Sequence, residues 1–75
     1  MPNEMSVIDA TGDTKIIWSP DNEDEVAVAR RTFNDLRKKG HIAYAVQKGG
    51  NQGEVVSEFD PDAAKLILAP PLRGG

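Results

Sequence analysis

The sequence predicts a small α+β domain of five strands and one helix. Apolar residues recur at three- and four-residue steps over Val26, Ala29, Phe33 and Leu36, bounded by helix start and stop signals. Two short runs rich in β-branched and aromatic residues precede this stripe, and three follow it. At 75 residues the chain supports one core, burying roughly 60% of the surface its unfolded form exposes.

The elements follow in order. Residues 1–4 carry no pattern and are expected to fray. Residues 5–10 predict a short strand with Val7 or Ile8 inward. Thr11-Gly12-Asp13 is turn chemistry, with Gly12 free to take positive φ. Residues 14–18 predict a second strand, with Ile16 and Trp18 on one face, so the two form a hairpin. Ser19-Pro20-Asp21 stops it, and Asn22 with Glu25 three residues later spells a capping box. Glu23, Asp24 and Glu25 meet the positive end of the helix dipole. Arg37, Lys38 and Lys39 fill the last turn, and Gly40 stands where a left-handed cap belongs.

Beyond the helix, residues 41–46 predict a strand. Ile42, Tyr44 and Val46 alternate with Ala43 and Ala45, so the large residues are expected under the helix. Residues 47–53 form a glycine-rich connection to a strand over 54–59, which makes an antiparallel hairpin. Asp60 followed by Pro61 reads as an N-cap and first helical position, so one short helical turn is expected over 60–64. Leu66, Ile67 and Leu68 lie in a last, buried strand over 65–69, which Pro70 and Pro71 end. The domain therefore spans residues 1–69, and 70–75 form an extended C-terminal tail.

Composition narrows the function. A formal net charge of -3 argues against a nucleic-acid binder. Without cysteine there is no disulfide framework, thiolate metal site or thiol nucleophile, which suits a reducing cytoplasm. No apolar run is long enough for a membrane span or signal peptide, so no membrane partner is expected.

The most informative segment is the last, Leu72-Arg73-Gly74-Gly75. Paired glycines are poor helix or strand material, because each loses the most backbone entropy on ordering. A narrow arm ending in a carboxylate can enter an active-site channel that side chains would block.

The ending and the element order resemble those of ubiquitin-like proteins. The resemblance implies a β-grasp fold, strand-strand-helix-strand-strand-strand, with a mixed sheet packed on one helix. It implies that the chain is no enzyme but the substrate of an ATP-dependent activating enzyme. Gly75 would carry the activated carboxylate, which passes to a cysteine as a thioester and then to a target lysine. Gly74 would be the slim residue behind it, Arg73 an electrostatic contact for the activating enzyme, and Leu72 the first residue of the motif. Sulfur-carrier relatives instead form a thiocarboxylate there. Pro70 and Pro71 depart from the flexible basic stretch that ubiquitin has before its ending. Acceptor candidates for self-conjugation are Lys15, Lys38, Lys39, Lys48 and Lys65.

Other constellations have simpler readings. Lys48-Gly49-Gly50-Asn51-Gln52-Gly53 could cradle a phosphate, but it opens no helix and lacks nucleotide-loop spacing, so a hairpin connection explains it. Asp21, Glu23, Asp24 and Glu25 lack the spacing of a calcium loop, and dipole complementation explains them. Arg30, Arg31, Arg37 and Lys38 form a basic half-helix, either a solvated face or a docking face for an acidic partner. Ser57 and His41 can be written into a triad, yet no serine sits in a glycine-flanked strained turn. Trp18, Phe33, Tyr44 and Phe59 are expected in or near the core, and one found exposed would point to a protein-binding face. No catalytic residue, metal site or cofactor is assigned.

The expected function is that of a cytoplasmic, monomeric ubiquitin-like modifier or sulfur carrier, with an activating enzyme and target proteins as partners. The other reading, from a different class, is a small interaction or regulatory module of bacterial or phage type with an inert tail.

Overall fold

The structure is a computed structural model, and it describes residues 3–9, 12–46 and 53–71. Its elements are β1 (Asn3–Asp9), β2 (Gly12–Trp18), α1 (Glu23–Lys38), β3 (Ile42–Val46), β4 (Glu54–Val56) and β5 (Lys65–Ala69). The strands form one mixed sheet in the order β2-β1-β5-β3-β4. β1 runs antiparallel to β2 and parallel to β5, while β3 is antiparallel to both β4 and β5. The last strand in sequence is thus the central one in space. It closes the sheet between the N-terminal hairpin and the β3–β4 pair.

The helix follows its local signals closely. The Asn22 side chain accepts a hydrogen bond from the Glu25 N–H at 3.1 Å. The reciprocal half of the capping box differs from expectation: a Glu25 carboxylate oxygen accepts from the Ser19 N–H at 2.8 Å. The Asn22 N–H is already engaged by the Ser19 carbonyl at 2.9 Å, which frees Glu25 to reach one turn further back. At the other end Gly40 has φ of 94°, a region L side chains rarely adopt, and its N–H donates to the Arg37 carbonyl.

The core lies between the helix and one face of the sheet. Met5, Trp18, Ala29, Phe33, Leu66 and Leu68 are wholly buried, with Val7, Ile16, Val26, Leu36 and Val56 packed around them. The register sets Met5 beside Leu66 and Leu66 beside Ala45, and Val7 beside Leu68 and Leu68 beside Ala43. Ala43 and Ala45 are therefore the inward residues of β3, opposite to the expectation that Ile42, Tyr44 and Val46 would lie under the helix. The large side chains of β1, β2, β5 and α1 already fill that volume, so β3 fits there only with small ones.

Three other expectations are corrected. β1 begins at Asn3 rather than near residue 5, because Asn3 pairs with Trp18 and its Nδ2 donates to the Pro61 carbonyl at 2.9 Å. Between Val7 and Ile8, which the sequence left as alternatives, Val7 is the inward one and Ile8 is exposed, a choice between the two rather than a correction. β4 stops at Val56 rather than at 59, and no helix forms over 60–64. There the Ala63 N–H bonds the Asp60 carbonyl at 3.1 Å, and Asp60 Oδ1 accepts the Asp62 N–H at 2.9 Å, which makes a side-chain-braced β-turn. The turn is held open to the body. Pro61 offers its carbonyl to both Asn3 Nδ2 and Trp18 Nε1, the latter at 3.0 Å.

Candidate functional site

β5 carries the chain through the middle of the sheet and releases it at one end of the body. Pro70 and Pro71 are exposed. Pro71 runs past the helix C-terminus: a Cβ placed on Gly40 would stand 3.6 Å from Pro71 Cγ. The exit point therefore lies against the left-handed cap. Leu72, Arg73, Gly74 and Gly75 lie outside the described residues, as do Lys48 and the rest of 47–52.

Charges crowd the same corner. Lys38 and Lys39 are exposed there. Arg37 is half-buried and turns its Nη1 onto the His41 carbonyl at 2.9 Å, which ties the helix end to the start of β3. Arg37 Nε and His41 Nδ1 are both buried without a hydrogen-bond partner. Ser57 is exposed and does not engage His41 Nδ1. Arg30 and Arg31 are exposed on α1, and the Arg30 guanidinium lies 5.7 Å from the centre of the Phe59 ring. The basic residues singled out from sequence thus divide: Arg37 braces the helix end, Arg30 covers Phe59, and Arg31 and Lys38 face water. Of the acceptor candidates, Lys15 on β2 is exposed and Lys65 on β5 is half-buried.

The aromatic residues also divide. Trp18 and Phe33 are buried, and Phe59 wedges between them with ring centroids 5.2 Å from Trp18 and 5.8 Å from Phe33. Tyr44 lies on the sheet face turned away from the helix. Across that face the register sets Val55, Tyr44, Ile67, Ser6 and Lys15 in one row, with Val55 well exposed.

The acidic residues at the start of α1 are exposed, and among the described residues no three His, Cys, Asp or Glu side chains converge on a metal site. A second feature at this end was not singled out from sequence. Ile16, Ile17, Asp24, Glu25 and Val28 line a shallow groove between β2 and α1. Val28 was the available signal: it is apolar yet falls off the Val26–Ala29–Phe33–Leu36 stripe, so the core does not claim it.

Compared with family models, curated proteins and solved structures, the chain matches none. Among the described residues no helix is long and apolar enough to cross a membrane.

Proposed function

We propose that the chain is a ubiquitin-like protein of β-grasp fold, acting as a protein modifier or sulfur carrier through Gly74-Gly75. One observation carries this reading. A mixed sheet in the order β2-β1-β5-β3-β4 puts the last strand at its centre and delivers the chain, at exposed Pro70 and Pro71, to the edge of the body. A rigid body with its C-terminal segment leaving from the central strand suits a substrate that is gripped by its surface and processed at its end. In this reading Gly75 attacks the α-phosphate of ATP through its carboxylate and displaces pyrophosphate. A cysteine thiol of the activating enzyme then displaces AMP, and a target lysine amine displaces the thiol. In a sulfur carrier a hydrosulfide-level sulfur nucleophile instead displaces AMP from the adenylated carboxylate and leaves a thiocarboxylate. The protein works as a cytoplasmic monomer, with the activating enzyme and target proteins as its partners.

The test is incubation with ATP and an extract of the source cells, comparing the full chain with a Gly75-deleted form by intact mass and gel shift. ATP-dependent adducts that need Gly75 support the reading. Identical behaviour of the two forms refutes it and favours an interaction module with an inert tail, the alternative supported by the exposed apolar residues Ile17, Val28 and Val55.

A further inference from the structure

The outer face of α1 carries two shallow clefts that meet. One, of about 330 Å³, lies between the helix and the segment after β4 and is lined by Arg30, Asn34, Ser57, Glu58 and Phe59. The other, of about 360 Å³, runs along the helix past Ala27, Arg30, Arg31, Asn34, Asp35 and Lys38. Arg30 and Asn34 belong to both, so the two form one continuous surface. Ala27, Arg31, Asn34 and Lys38 recur at three- and four-residue steps, which sets them in one line down the helix. The short side chain of Ala27 keeps the floor of that line low.

Arg30 stands at the centre. Its guanidinium lies 5.7 Å from the centre of the Phe59 ring, and Phe59 is itself held against Trp18 and Phe33. Among the described residues no carboxylate pairs with it. An arginine resting on an aromatic ring is already positioned, and its in-plane N–H fork stays free for a planar, bidentate partner. Asn34 adds an amide and Ser57 a hydroxyl to the same cleft. The charge of the lining selects among anions. Arg30, Arg31 and Lys38 are offset by Asp35 and Glu58, which leaves a small positive excess. That balance suits single carboxylates; a dianionic phosphate would meet repulsion from Glu58 in the cleft where Arg30 sits.

We propose that this surface binds an extended acidic segment of a partner protein, with one carboxylate on Arg30 and a second at Lys38. Arg30 and Lys38 are eight residues apart, about 12 Å along the helix axis. An extended guest rises about 3.3 Å per residue, so carboxylates four residues apart cover about 13 Å and fit both cations. Asn34 and Ser57 complete the hydrogen bonding of the first carboxylate, and Ala27 lets the guest lie close to the helix. The proposal concerns the folded body alone and holds whether or not Gly74-Gly75 is activated.

The test is backbone amide NMR of the isotopically labelled chain, titrated with a blocked five-residue peptide that has glutamate at each end and serine and threonine between. The same peptide with glutamines, and one with its two glutamates adjacent, are the controls. Saturable shifts over residues 27–38 and 57–59 are expected, weaker in high salt and absent with the glutamine peptide. Arg30→Gln should weaken binding about fivefold, and Arg30→Lys, which keeps the charge but loses the fork, about threefold. Lys38→Gln should bring the spaced peptide down to the affinity of the peptide with adjacent glutamates. Lys38 is exposed, so this variant should melt close to the parent and keeps the test open if the Arg30 variants lose stability along with the cover over Phe59. Absence of saturable shifts, equal binding of the glutamine peptide, no loss in Arg30→Gln, or tighter binding of inorganic phosphate than of the glutamate peptide would overturn the proposal.

Discussion

Phe59 should be far more important to stability than its place in an irregular segment suggests. It follows β4 and precedes the turn at Asp60, so no ladder holds it. Its ring is nonetheless tilted 53° against Trp18 and 65° against Phe33, and Arg30 covers it at 5.7 Å. Removing a fully buried phenylalanine ring costs about 3–5 kcal/mol. Phe59 is only partly covered, so about half of that applies to its transfer from water. The two edge contacts add about 0.5–1.5 kcal/mol each when independent, but here they share one ring and add less. Phe59→Ala should therefore destabilise by about 2–3 kcal/mol. A chain of 75 residues has a typical stability of about 4–11 kcal/mol, so the loss is a large share of the total.

The assay is urea unfolding followed by fluorescence of Trp18, the only tryptophan and a direct neighbour of the deleted ring. Phe59→Leu separates the components: it keeps much of the apolar area and loses the ring edges, so a loss of about 1 kcal/mol is expected. A loss under about 0.5 kcal/mol for Phe59→Ala would show that residues 57–64 open apart from the core. Equal losses for the two variants would show that ring geometry contributes nothing.

Two further predictions concern backbone and packing. Gly40→Ala forces a β-carbon into φ of 94° beside Pro71 and should cost about 1–2 kcal/mol, read as a fall in melting temperature, with Gly40→Asn losing less. Ala45→Leu drives a large side chain into the filled volume beside Leu66 and should destabilise by about 1–3 kcal/mol, whereas the expectation drawn from sequence, with alanines outward, predicts almost no change. Urea midpoints of the parent and variant decide between them.

What was legible in the sequence was local. Asn22, the acidic first turn, the basic last turn and Gly40 each act within a few residues of the helix ends, and α1 ends where they place it. Lys65–Ala69 was legible because the prolines beyond it cannot continue a ladder. Most of the misreadings involve distant partners. Asn3 joins β1 through Trp18 and Pro61, and Pro61 is 58 residues away. The Asp60-Pro61 pair begins a β-turn as readily as a helix; here the Pro61 carbonyl is drawn to Asn3 and Trp18. The inward face of β3 was ambiguous because alternating large and small residues satisfy either orientation. The choice is made by the leucines of β5, which already occupy the space below the helix. The groove was invisible for the same reason, since Ile17 and Val28 come from different elements.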